Sequence, residues 1–344
     1  MLYSIKDAFK ANLESASGGK NTVMYDAAGN ASIMVAIPKF KLSDIVPTWP
    51  STVHPAFIVN GVEKSYIYVS KYLNCLDNGY AVSMAGQDPA AGYTFDQART
   101  ACEKKGKGWH IMNNTEWAAI ALWCWKNGFQ PHGNNNYGSD VTYPWEHGVS
   151  AVPGASSVTR TLTGTGPSSW NHDNTPWGIA DLNGNVWEWN DGVKTIDGKI
   201  YVFGQDGTPM NNYTTLNTSH DVTGWLDTGY CYDGVNAGSD SKTGTYTGGV
   251  MLNTTVTHPS YTGATTDEQY GYADVQFEAM TVASGVTVPD MLKYLCLYPP
   301  VAGLNGDYFG VRNYGERQGI RGGGWGDQAL AGVFYLDLHY ARTL

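Results

Sequence analysis

The sequence is short of charge, and shorter still of clustered charge. Charged residues make up 15% of its 344 positions, against roughly a quarter in an ordinary globular chain. No run of Lys or Arg occurs, which argues against a groove that tracks a nucleic-acid backbone. No stretch of about eighteen apolar residues exists, so membrane insertion is not expected. The opening stretch MLYSIKDAFKANLESASGGK sets Lys and Asp among its apolar positions and lacks the uninterrupted core of a signal peptide. Cysteine is scarce: the five residues Cys75, Cys102, Cys124, Cys231 and Cys296 form no CxxC, so neither a zinc knuckle nor a redox pair is signalled. Buried free thiols in a reducing compartment are the expectation. The eight histidines show no HxxxH or HExxH spacing. The glycine-rich GTGPSS and RGGGWG do not lie between a strand and a Lys-bearing helix, so they carry little weight as phosphate loops.

What is present is aromatic and flexible. The chain has 42 Gly, 12 Trp and 23 Tyr, with 42% hydrophobic residues. That composition fits a loop-rich globular protein with many ring anchors and opposes disorder. The formal net charge of −10 favours solubility and says little about partners. The length suits one large domain with an appendage.

Residues 4–14 have the spacing of a short amphipathic helix, with Ile5, Ala8, Phe9 and Leu13 on one side. NTVMYDAAGNASIMVAIPKF reads as two strands around Ala28-Gly29-Asn30. This forepart is too small to bury much by itself and is expected to pack on the rest of the chain or on a neighbouring subunit. HPAFIVNGVEKSYIYVSKYLN reads as a hairpin turning at Asn60-Gly61 and running to Ser70. Two capped helices follow, one entered by Thr94 with Gln97 and stopped by Gly106, the other entered by Asn113 with Glu116 and stopped by Gly128. From Gln130 to about Gly285 helical periodicity is largely absent, and ordered loops pinned by Trp and Tyr are expected. VPDMLKYLCLYPP gives one more short helix behind Pro289. No internal repeat is found.

The terminal stretch AGVFYLDLHYARTL alternates. Phe334, Leu336 and Leu338 occupy one face and Tyr335, Asp337 and His339 the other. The first set would anchor a strand, each burying apolar area worth about 1.5–3 kcal/mol. The second set would then face solvent, where substitution costs little. Tyr340 breaks the alternation and needs a bulge or the end of the strand near Ala341. Composition alone favours a plainer reading: a strand face covered by a loop or by an oligomer interface. Tyr308 and Tyr314 lie just upstream, either flanking this patch or pinning their loop. Trp187, Trp189 and Trp325 read as core or turn anchors. Oxygen-rich DVTGWLDTGYCYDG would be a place for Ca²⁺, without an EF-hand pattern to support it.

Three motifs give the chain a resemblance. GWHIMNNTEWAAIA (residues 108–121), GIADLNGNVWEWNDG (178–192) and RGGGWGD (321–327) resemble, in order, signatures of the formylglycine-generating-enzyme-like branch of the C-type lectin fold. Within it, HPAFIVNGVEKSYIYVSKY and RGGGW…AGVFYLDLHYAR are similar to the variable proteins of diversity-generating retroelements. In that group, adenine-directed copying errors replace certain codons near the end of the gene and spare the rest. The resemblance implies that Gly326 and Asp327 stand at a varied pair, Tyr335 at a free position, Asp337 at a varied strand position and His339-Tyr340 at a second pair. Gln328 and Leu330 would lie in the connecting loop and vary as well, Gly324 stands where Ser is usual, and all of these positions would form the variable ligand-binding set. The polar run and final strand usual after the Ala-Arg pair do not follow Arg342, which puts the closing of the terminal sheet in question.

The fold class implied is α+β: a loop-rich C-type lectin fold of the formylglycine-generating-enzyme type, with few short helices and a small antiparallel sheet. Residues 1–52 would be an attachment or assembly segment and 53–344 the ligand-binding domain, with its variable region at about 321–344. The function implied is non-enzymatic recognition of a host cell-surface protein or glycan, at a phage tail-fibre tip or on a bacterial surface, with trimers or arrays. No cofactor is expected beyond the Ca²⁺ just noted. Two alternatives stand beside it: an oxidase of the formylglycine-generating type, which needs a reactive thiol absent after Cys296, and a structural virion protein without a receptor.

Overall fold

A computed structural model describes residues 5–154, 156–212, 218–236, 244–257 and 265–343, the side chains of 5–7 excepted; His258 and Leu344 lie outside these. The molecule is α+β, mostly loops and strands with few helices. Helix α1 (Ile5–Ser17) runs three residues past the expected end. It stops where Ser17 Oγ accepts from the Asn21 amide at 3.0 Å and Gly18 and Gly19 take φ of +60° and +81°, conformations that favour glycine. Strands β1 (Asn21–Tyr25) and β2 (Ala31–Pro38) pair antiparallel as expected. The Asp26 carboxylate braces their turn, accepting from the amides of Ala28 (3.0 Å) and Asn30 (2.9 Å).

After the short helix α2 (Leu42–Ile45), strands β3 (Ile58–Val59) and β4 (Val62–Glu63) make a tight hairpin. Its turn has positive φ at both Asn60 (47°) and Gly61 (77°), the geometry that matches strand twist. The expected hairpin does not continue. Strand β5 (Tyr66–Ser70) instead pairs with β2, Ile67 opposite Ile37. Ile67 and Val69 need cover, and β2 brings buried Val35 and Ile37 beside them. Residues on both sides of position 52 therefore share one three-stranded sheet. Strands β6 (Cys75–Asp77) and β7 (Tyr80–Val82) form a further pair.

Both reciprocal caps are present at α3 (Phe95–Glu103) and α4 (Asn114–Lys126). Helix α4 is buried along most of its length and lies in the core. Residues 130–187 are irregular and pinned, as anticipated. Trp170 Nε1–H donates to Glu146 at 2.9 Å, and His132 stacks on Tyr143 at 3.9 Å between centroids.

The rest corrects two expectations. The chain from Glu188 onward is strand-rich, and the sheet it builds is neither small nor purely antiparallel. It comprises β8 (Glu188–Ile196), β9 (Lys199–Gln205), β10 (Thr208–Pro209), β11 (Trp225–Asn236), β12 (Thr247–Asn253), β13 (Tyr272–Gln276) and β14 (Thr281–Val282). After α5 (Asp290–Tyr294) it is completed by β15 (Tyr308–Arg312), β16 (Glu316–Gly322) and β17 (Gly332–Leu338). The ten strands run in the order β13-β15-β17-β16-β8-β9-β11-β12-β14, with β10 beside β9. The pairs β15–β17 and β12–β14 are parallel. These strands were masked in sequence by Gly, Thr and Asp, which have low or mixed strand propensity. Gly234, for example, lies under the Tyr246 ring, where any Cβ would collide. Helices α4 and α5 cover the sheet's inner face: Trp117 Nε1–H donates to the Val333 carbonyl at 2.7 Å. The fully buried Arg321 guanidinium bonds the Tyr335 and Cys296 carbonyls at 3.3 and 3.2 Å. Among the described residues no helix is long and apolar enough to cross a membrane.

Candidate functional site

The terminal strand β17 is central. It pairs in parallel with β15, Phe309 opposite Leu336, and antiparallel with β16, Ile320 opposite Asp337. Phe334, Leu336 and Leu338 are fully buried in the core, with Phe334 stacked on Phe277 at 6.3 Å. At its start the Asp307 carboxylate accepts from the Phe334 amide at 2.7 Å. Burial holds that carboxyl well above the usual carboxylate range. Gly332 passes so close to it that a Cβ would strike both oxygens.

The alternation survives, but its exposed face does not. Tyr335 and Asp337 are each only 4% exposed, which corrects the expectation that they meet solvent. Rings from other strands close over them. Tyr308 lies 5.3 Å from Tyr335, and Tyr272 lies 4.7 Å from His339. Asp337 Oδ1 accepts from the His339 amide at 2.8 Å and sits 3.0 Å from His339 Nδ1. The Arg312 guanidinium lies over the Tyr272 ring at 5.4 Å. Burial and then the Asp337 charge push the Tyr335 and Tyr308 phenols far up. Burial pulls Arg312 down, and Asp337 partly restores it. Gly310 makes the close packing feasible, since a Cβ there would meet Tyr308 Oη and the His339 ring. Of the two upstream tyrosines, Tyr308 belongs to this cluster, while Tyr314 packs edge-on against Tyr270 at 5.6 Å.

His339 and Tyr340 follow the end of the strand and are partly exposed, so the strand end, rather than a bulge, frees Tyr340. Upstream, the loop carrying Gly324, Gly326, Asp327, Gln328 and Leu330 forms a rim. Gly324 is buried, Gly326 and Asp327 are partly exposed, and Gln328 and Leu330 are exposed. Asp327 Oδ2 shapes the loop by accepting from Trp187 Nε1–H and the Gly324 amide, both at 2.8 Å. Two backbone bonds tie the loop to the irregular region: Tyr137 N–H to the Trp325 carbonyl (2.8 Å) and Gln328 N–H to the Asn135 carbonyl (2.9 Å).

Beside this rim opens a cavity of about 710 Å³ whose wall includes Gly324, Gly326, Asp327 and Tyr340. That volume lies within the range of small-ligand sites, about 300–1,000 Å³. Trp187 also lines it and is 47% exposed, so it is no core residue, while its bond to Asp327 makes it an anchor of the loop. The ring lies 6.1 Å from Tyr340 and joins the cavity to the terminal cluster. Sequence reasoning missed Trp187, Tyr137, Tyr272 and Arg312. The alternation of Trp187 with Trp189 suggested burial, and nothing in sequence links the others to residue 340.

Two carboxyls have no cationic partner among the described residues: Glu188, which lines the cavity, and its neighbour Asp181. Burial, then the neighbouring Asp181, pushes Glu188 up to about 8. Burial raises Asp181 to about 6, against the pull of its hydrogen bond from the Gly164 amide. Glu188 Oε1 is shielded and makes no hydrogen bond. The oxygen-rich stretch 221–234, read as a place for Ca²⁺, is mostly strand β11 rather than a loop, and Asp221, Asp227 and Asp233 each bond separate partners, the amides of Thr223, Gly229 and Thr257. Among the described residues no three His, Cys, Asp or Glu side chains converge as a metal-ligand group. The thiols of Cys102, Cys231 and Cys296 are raised to about 12 by burial, opposite to what a nucleophilic thiolate needs.

No protein-family model matches the chain, and no curated protein matches it.

Proposed function

We propose that the protein is a non-enzymatic ligand-binding protein whose terminal segment recognises a host cell-surface protein or glycan, as at a phage tail-fibre tip. One observation carries the reading: the positions that the retroelement resemblance marks as varied gather at one place. Gly324, Gly326, Asp327 and Tyr340 wall the cavity, Gln328 and Leu330 stand exposed on the same loop, and Tyr335, Asp337 and His339 form the adjoining cluster. Beneath them the unvaried Phe334, Leu336 and Leu338 are locked in the sheet. A recognition surface needs such rigid support under exchangeable side chains, and aromatic side chains give large contact at low entropic cost. The C-type lectin architecture of the formylglycine-generating-enzyme type is part of this proposal, as is trimeric or arrayed display, which would raise weak single-site affinity.

The test is attachment of the purified protein to host cells. Combined Gln328→Ala, Leu330→Ala and Tyr340→Ala should remove binding at least tenfold with little change in melting temperature. Unchanged attachment would sink the reading and favour a structural virion component.

A further inference from the structure

Six aromatic side chains are exposed among the described residues: Tyr66, Tyr68, Tyr93, Tyr137, Trp145 and Trp187. Four of them, Tyr68, Tyr93, Tyr137 and Trp187, line the cavity beside the terminal loop. They come from four stretches far apart in sequence, so their convergence is a product of the fold. Concentrated exposed apolar surface marks an interaction site.

The polar lining narrows the ligand. Among the described residues no Lys or Arg contributes to it. His110 is engaged by Glu116 at 3.0 Å. Asp327 commits only Oδ2 to the loop, leaving Oδ1 available. The hydroxyls of Tyr68, Tyr93, Tyr137 and Tyr340 take no hydrogen bond among the described residues. The cavity thus offers ring faces, several neutral hydroxyls that can donate or accept, and the Asp327 carboxylate as an acceptor, without a counter-charge for an anion among the described residues.

We infer that this cavity takes a neutral saccharide, its C–H face against Trp187 and Tyr137 and its hydroxyls bonded to Asp327 and the free tyrosine hydroxyls. The inference rests on the ligand-binding reading above and names the class of ligand. A sialylated, sulfated or phosphorylated sugar would bring negative charge beside Asp327 with no cation to meet it. An organic ammonium would find the carboxylate and the rings but has no use for the hydroxyls.

The experiment is a titration of the full chain, read by tryptophan fluorescence and calorimetry. The probes are neutral oligosaccharides of glucose, galactose, mannose and N-acetylglucosamine, with sialyllactose, a heparin oligosaccharide and choline as charged arms. Saturable binding of at least one neutral probe is expected, weakened tenfold or more by Trp187→Ala and by Tyr137→Ala, each checked for an intact melting transition. Asp327→Asn should keep most of the affinity and Asp327→Ala should lose it. No binding by any neutral probe, binding by charged probes alone, or affinity untouched by both aromatic substitutions overturns the inference. If the loop substitutions abolish host attachment while no saccharide binds, only the ligand class falls. If a saccharide binds and attachment ignores those substitutions, the recognition reading falls instead.

Discussion

Two neighbouring stretches of the terminal segment, the loop 323–330 and the strand Gly332–Leu338, live under opposite constraints. Every residue of the strand is buried. The loop ends in three exposed residues, Gln328, Ala329 and Leu330. The loop's shape is held by its backbone and by Asp327, through bonds to Asn135, Tyr137, Gly324 and Trp187. Its exposed side chains are therefore replaceable without unpacking anything. The strand's polar face is not bare in the same way. Tyr335 and Asp337 are enclosed by Tyr308, Tyr272 and His339, so a change there is also a change of packing. In this molecule exchangeability follows the covering layer, not the side of the strand from which a side chain departs.

The largest expected effect tests that enclosure. Phe334→Ala should cost about 3–5 kcal/mol in denaturant unfolding, as for a buried aromatic. Tyr335→Ala, on the opposite face, should still cost about 2–4 kcal/mol. A value for Tyr335 within the ±0.5 kcal/mol or so of a surface site would break the comparison.

A second effect concerns Glu188 in the cavity wall. Burial, and then Asp181, push its folded carboxyl up to about 8, above the roughly 4.3 of an unfolded Glu. The folded state thus holds a proton that the unfolded state releases. The stabilisation is complete below the unfolded value and is lost as pH rises to about 8, Asp181 acting in the same sense up to about 6. The melting temperature should fall across that window, and Glu188→Gln should flatten the fall and raise stability at the alkaline end. An unchanged slope in the variant would show that Glu188 is not the titrating group. The smallest effects belong to the loop: Gln328→Ala and Leu330→Ala should each move stability by no more than about ±0.5 kcal/mol, measured by thermal melting.

Legibility in the sequence followed the range of the physics involved. Both capping boxes were readable because Thr94 with Gln97 and Asn113 with Glu116 act within one helical turn. The turns at Asp26–Asn30 and Asn60-Gly61 were equally local. The hairpin ending at Ser70 was misjudged because β5 found its partner in β2, thirty residues back. The large sheet was hidden because Gly192, Gly234 and Gly310 are required by close packing, which reads in sequence as loop. At the candidate site, Asp327, Gln328, Leu330 and Tyr340 were recognisable by resemblance. Trp187, Tyr137, Tyr272 and Arg312 were not, because their neighbours are distant in the chain.

Sequence by itself determined where α3, α4 and α5 begin, though not α2, which way each side chain of β17 points and which of them anchor it, since backbone periodicity and apolar transfer are properties of a few adjacent residues. Only the tertiary structure decided that both faces of that strand are covered, that Trp187 stands open, and that four exposed rings surround one cavity. Those facts depend on what arrives above each face from remote strands and loops, and local periodicity carries no information about the arrival.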